Sequence, residues 1–150
     1  MISSFKTSWQ SLIFVFIQFF CLFFIGLTGP LFPDSTLLLG IELLGLGLGF
    51  WAVTAMRVGN FNIAPEPLKW SKFVARGPYQ LIRHPMYLAL LVTTIPLIIA
   101  GFTFVRLGIW IMLLVNLILK MGYEEKMLLV RFSDYESYIE RTARILPGIY

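Results

Sequence analysis

Charge is what this sequence has least of. Twelve Lys and Arg and eight Asp and Glu make up only 13% of its 150 residues. Hydrophobic residues make up 58%, and the mean hydropathy is +0.81. A soluble domain of this size cannot hide so much apolar surface. That excludes the ordinary soluble enzyme folds and predicts a single integral membrane domain. Cysteine is nearly absent: Cys21 stands alone in an apolar run, so there is no disulfide framework. With one histidine besides, the chain lacks the ligands of a zinc site, and no metal is expected. There is no Gly-rich phosphate loop after a strand and no Ser-His-Asp order, so neither a Rossmann domain nor a triad hydrolase is expected. The net charge of +4 is spread over loops and the C-terminal segment, and nucleic acid is not expected as a partner.

What is present is a series of long apolar runs. Crossing the hydrocarbon core takes about 20 residues of helix. Four runs predict four transmembrane helices, at about 9–28, 36–56, 85–101 and 104–121. The first is interrupted only by Gln18; it is too long for a signal-peptide core and has no A-x-A-like site after it, so it is expected to be retained. Gly29-Pro30-Leu31-Phe32-Pro33-Asp34 reads as a turn, with Asp34 or Ser35 capping the second helix. Gly45 and Gly49 form a G-x-x-x-G pair suited to close helix packing. Glu42 must face protein rather than lipid, either lining a pocket or lying near a membrane surface. Asn116 suits a helix-to-helix hydrogen bond.

Between the second and third runs lies a long polar connection, Arg57 to His84, with Pro65, Pro67, Lys69, Lys72 and Arg76. Trp70 and Phe73 suit a segment lying at the bilayer interface. After Gly122 the chain is polar enough to leave the membrane, with tail helices expected at about 122–132 and 134–143. Ser133-Asp134-Tyr135-Glu136 has the pattern of a capping box for the second. Four crossings put both termini on one side. Of the twelve Lys and Arg only Arg106 falls in a loop on the other, which predicts that termini, connection and tail are cytoplasmic.

The chemistry gathers in two stretches. Gly77-Pro78-Tyr79-Gln80-Leu81-Ile82-Arg83-His84-Pro85-Met86-Tyr87 packs a cation, the imidazole and two phenols against the start of the third span. Pro85 suits the first helical position with His84 as N-cap, so free N–H groups, Arg83 and His84 together suit an anion site. Equally, His84 merely caps the helix and Arg83 reaches to lipid phosphate. In the tail, Glu125 falls among Leu128, Leu129 and Phe132 at about 100° per residue, an apolar setting that points to a functional carboxylate. Glu124 lies at the edge of that face, where a pair with Lys120 or Arg131 also accounts for it.

Taken together, Gly77-Pro78-Tyr79, Arg83-His84-Pro85-x-Tyr87, Glu124-Glu125-x-x-Leu128-x-x-x-Phe132-x-x-Tyr135-x-x-Tyr138 and Arg144-Ile145-Leu146-Pro147 resemble the isoprenylcysteine carboxyl methyltransferase family, whose wider relatives include phospholipid N-methyltransferases. The likeness covers residues 40 to 147. It implies an all-α integral membrane enzyme in which the cytoplasmic connection and C-terminal helices form a pocket for S-adenosylmethionine, with a lipophilic or prenylcysteine-like substrate entering from the bilayer. By the same likeness Tyr79, His84, Pro85, Tyr87, Glu124 and Glu125 belong to the cofactor pocket. Arg83, His84 and Glu125 are the expected catalytic residues: Arg83 orienting a carboxylate acceptor, or His84 or Glu125 taking a proton from an amine. Lys120 stands where many members have arginine, and Ala89 and Ser133 replace common glycines. Two other readings stay open: an enzyme like the sterol reductases, which use NADPH, and a non-catalytic membrane packing protein.

Overall fold

The computed structural model describes residues 8–56 and 73–147. Its elements in order are α1 (Trp9–Leu27), α2 (Thr36–Met56), a 3-10 turn (Gly77–Gln80), α3 (Pro85–Ala100), α4 (Phe104–Arg131) and α5 (Tyr135–Arg141). The described residues are all-helical apart from one isolated parallel bridge between Ile82 and Ala143. The expected segment around Trp70, with Pro65, Pro67, Lys69 and Lys72, lies outside the described residues.

Local chemistry sets the helix ends. Ser8 caps α1 by accepting from the Ser11 N–H at 3.1 Å, and Thr103 caps α4 by accepting from Arg106 at 3.1 Å. Pro85 opens α3 from the first position and Gly101 closes it. α4 runs antiparallel to both α1 and α3, which lie side by side with their C-terminal ends together at Arg106. Along α1 and α4 the pairs are Ser8–Tyr123, Phe14–Asn116 and Ile25–Arg106, while the long Lys120 side chain reaches along the helix to Gln18. Between α3 and α4, Trp110 donates to Thr94 at 2.9 Å. Cys21, Ile25, Leu91, Leu97, Ile98, Leu113 and Leu117 form the core between α1, α3 and α4.

α2 joins this core through glycine. A Cβ on Gly45 would sit 2.7 Å from the Thr93 backbone nitrogen, and one on Gly49 would be 3.4 Å from the Ala89 Cβ. The G-x-x-x-G pair is therefore a contact surface for α3, as its spacing suggests. Glu42 lies on α2 at 6% exposure, and its Oε2 has no hydrogen-bond partner among the described residues.

Polarity runs inside out compared with a soluble bundle. Gln18, Glu42, Asn116 and Lys120 are buried, while Phe16, Phe23, Leu44 and Phe50 are broadly exposed. A bilayer is the solvent that suits such a surface. α1, α2 and α4 are long and apolar enough to cross a membrane; α3, with 16 residues and Pro96 inside it, is shorter.

Three expectations need correction. The span at 104–121 and the tail helix at 122–132 are one helix of 28 residues, α4. The polarity changes at Gly122, but no proline interrupts the run and Glu, Lys, Met and Leu are good helix formers. At about 1.5 Å per residue it is longer than the hydrocarbon core, so its last turns project beyond it. The capping box is not formed: α5 starts at Tyr135 with Asp134 as a cap that makes no side-chain bond, and it ends at Arg141. Ser133 instead donates to the Asp134 carboxylate at 3.3 Å. Arg106 is not in a loop. It lies in the first turn of α4 at 2% exposure and donates to Ile25 O (2.8 Å), Thr28 Oγ1 (2.8 Å) and Leu97 O (2.7 Å). A cation there satisfies the last carbonyls of α1 and α3 together. Gly29 leaves it room, since a Cβ there would fall 2.5 Å from the guanidinium carbon.

Candidate active site

At the opposite end from Arg106, three segments converge. Gly77 takes φ +58, which a side chain would resist, and lies where a Cβ would be 3.2 Å from the Trp51 ring nitrogen. This tight turn folds the chain back along α2 and aims residues 81–84 at the C-terminal tail. There the backbones pair: Arg83 N–H donates to Ala143 O (2.9 Å), His84 N–H to Arg144 O (3.1 Å) and Ala143 N–H to Leu81 O (3.1 Å). α5 is fastened by aromatics. Phe73 packs edge-on against Tyr138 at 5.0 Å and Tyr135 at 5.9 Å, and the Tyr138 hydroxyl donates to Tyr79 O at 2.5 Å.

Glu125 is the hub of the site. Its Oε1 accepts from Arg83 Nε at 2.8 Å and from His84 Nε2 at 3.2 Å. Its Oε2 accepts from Arg144 Nε at 3.0 Å and from Arg144 Nη2. Arg83 also donates to the carbonyls of Ile139 (3.1 Å) and Thr142. One carboxylate at 5% exposure thus ties the end of α4 to the start of α3 and to the tail. Paired charge and full hydrogen bonding make such burial tolerable.

Glu124 behaves differently. A quarter of its side chain is exposed, its Oε2 accepts from the Tyr87 hydroxyl at 2.9 Å, and it stands 3.8 Å from His84 Nδ1. The His84 and Tyr87 rings, one turn apart, stack at 5.4 Å and 6° from parallel. Lys120 Nζ lies 5.2 Å from the centre of the Tyr87 ring and donates to Gln18 Oε1 at 2.8 Å. The Tyr79 hydroxyl is buried without a partner among the described residues. Burial pushes its pKa well up, and the nearby Glu124 carboxylate adds to the effect. Tyr135 is raised by the same cause, with Glu125 and Glu124 adding, and burial raises Tyr138 to about 12.

The residues that the sequence assigns to the cofactor pocket and to catalysis, Tyr79, Arg83, His84, Pro85, Tyr87, Glu124 and Glu125, all lie in this region, whereas Glu42 and Asn116 lie elsewhere in the bundle. Their roles differ from the simplest expectation. Arg83 is directed at Glu125 and the tail carbonyls rather than at an open anion site, and His84 occupies the N-cap while its side chain reaches Glu125 instead of the helix. Sequence reasoning quoted Arg144 without giving it a role; the signal was its place in Arg144-Ile145-Leu146-Pro147, but only pairing of 143 with 82 brings it to Glu125. No protein-family model matches the chain, and no curated protein matches it.

Proposed function

We propose that the chain is a membrane-embedded methyltransferase that uses S-adenosylmethionine and acts on a lipophilic acceptor drawn from the bilayer. The observation that carries this reading is the convergence of the Arg83-His84-Pro85-x-Tyr87 and Glu124-Glu125 stretches with Arg144 at one end of the bundle. In this reading the shorter α3 crosses the membrane along with α1, α2 and α4, with the site, both termini and the connection on the cytoplasmic side, following the charge asymmetry.

The donor set suits the cofactor. The Tyr79 hydroxyl, which has no partner among the described residues, and the part-exposed Glu124 carboxylate would hold its hydroxyl and ammonium groups. The His84–Tyr87 stack offers flat faces to a ring or a sulfonium. Pro85 fixes the helix start that carries both. When bound, the cofactor supplies a methyl group on an electron-poor sulfur. The chain's own part is positioning and water exclusion, which suffice for much of the rate of an in-line displacement. Glu125 acts behind the pocket wall by holding Arg83, His84 and the tail in register.

The test is transfer of labelled methyl from S-adenosylmethionine to prenylcysteine analogues and amino-phospholipids, beside thermal shifts with S-adenosylhomocysteine and NADPH. Stabilisation by S-adenosylhomocysteine alone is expected. Stabilisation by NADPH alone would favour the reductase-like reading, and by neither the packing-protein reading.

A further inference from the structure

We propose that His84 Nδ1 is a proton acceptor in this site, and that the methyl acceptor is therefore a lipophilic amine rather than a carboxylate. The inference rests on the methyltransferase reading and deepens it.

The tautomer follows from the hub. Glu125 receives hydrogen bonds from two guanidinium groups, so it is an acceptor toward its third partner as well. His84 Nε2, 3.2 Å from Glu125 Oε1, must then carry the hydrogen. That leaves the Nδ1 lone pair bare in the neutral ring, which is how a carboxylate prepares a histidine to act as base. Nδ1 has no hydrogen bond among the described residues: Glu124 Oε2 stands 3.8 Å away, beyond bonding range, and takes the Tyr87 hydroxyl instead.

Charge around Nδ1 points to the same class of acceptor. The groups facing the imidazole are Glu125 and Glu124 from α4 and the Tyr87 ring from α3, with Lys120 near that ring. Arg83 and Arg144 both direct their Nε at Glu125 rather than at the imidazole. A carboxylate acceptor would meet the Glu124 carboxylate, while the guanidinium groups of Arg83 and Arg144 are turned to Glu125. An ammonium headgroup would find Glu124 as counter-ion and Nδ1 to take its proton. The step balances. The ammonium gives a proton to Nδ1, and the freed nitrogen lone pair forms the N–C bond as the methyl carbon's bond to sulfur breaks. The sulfur leaves as a neutral thioether, the positive charge passes to the methylated ammonium, and Nδ1 releases its proton to water. A carboxylate needs no such acceptor.

His84 is the only histidine, so the imidazole of the full chain gives a single set of nitrogen signals. Long-range proton–nitrogen spectra of histidine-labelled protein in nanodiscs should show the Nε2–H tautomer at alkaline pH, with Nδ1 gaining a proton on acidification. An Nδ1–H tautomer, or an imidazolium at every pH, would overturn the inference. In parallel, farnesylamine and N-acetyl-farnesylcysteine are offered with labelled S-adenosylmethionine, and S-adenosylhomocysteine binding is followed separately. Farnesylamine should be methylated at least tenfold faster, and His84→Gln should slow that reaction by about 100-fold and flatten its pH dependence. Methylation of farnesylcysteine alone overturns the acceptor inference and leaves the methyltransferase reading standing. Binding of S-adenosylhomocysteine with neither acceptor methylated does the same. No binding and no transfer overturn both.

Discussion

Arg83 and Glu125, 42 residues apart in the chain, meet through a hydrogen bond of 2.8 Å between Nε and Oε1. This pair closes the site. It joins the segment before α3 to the projecting end of α4, and Nη1 of Arg83 draws in the tail at Ile139 and Thr142.

Replacing Glu125 with Gln removes the charge that three cationic or polar partners share. The loss of a buried partner predicts a destabilisation of about 3 kcal/mol. Affinity for S-adenosylhomocysteine should fall several-fold or more, because the wall carrying His84 and Tyr87 loses its anchor. Calorimetric titration of the variant checks this, and an unchanged affinity would refute the role given to Glu125.

The two glycines of α2 should differ in their tolerance of alanine. At Gly45 the new Cβ meets the Thr93 backbone, which cannot rotate away; at Gly49 it only touches a methyl group. Gly45→Ala should cost about 1–3 kcal/mol, while Gly49→Ala should be close to neutral. Unfolding in detergent, compared side by side, decides it, and equal stabilities would argue against the α2–α3 contact.

Arg106→Lys keeps a charge but loses the fork that reaches three acceptors on two helices. Since hydrogen bonds from a charged group contribute roughly 1.5–3 kcal/mol each, a loss of at least about 2 kcal/mol in stability is expected. A melting temperature like that of the parent would mean the clamp contributes nothing.

The tail should loosen in alkali. Burial raises Tyr138 from the ordinary value of 10.0 to about 12, so the folded state holds a proton that the unfolded state has lost. The stabilisation is complete below pH 10 and falls as the pH rises towards 12. Tyr79 and Tyr135 shift in the same direction and add to the loss. Phenolate absorbance followed with protease sensitivity of the tail should show both changing together above pH 10. Tyr138→Phe should lose the hydrogen bond to Tyr79 and show a smaller alkaline decline.

Apolar run length, the proline and glycine stops and the scarcity of charge were enough to place α1, α2, α3 and the start of α4, because helix formation in such runs depends on neighbouring residues. The inward placement of Gln18 and Asn116 also follows from the cost of polar groups against lipid. The same local logic misplaced the end of α4 and put Arg106 in a loop. A change of polarity marks where a helix leaves apolar surroundings, not where its backbone bonds end. Whether an arginine is solvated or clasps two helix ends depends on how those helices pack.

The sequence by itself determined most of the helices, the inside-out polarity and the two polar stretches, Gly77–Tyr87 and Glu124–Glu125, that come together at one end of the bundle. Tertiary structure alone decided how they are divided. It brought Arg144 to Glu125 through the pairing of Ile82 with Ala143, saturated that carboxylate, and left the Tyr79 hydroxyl and His84 Nδ1 without a hydrogen bond among the described residues and Glu124 part-exposed. The physical reason is distance along the chain. A hydrogen bond between residues 42 positions apart leaves no periodic trace in the sequence, yet it decides which of two adjacent carboxylates is held between cations and which stays part-exposed.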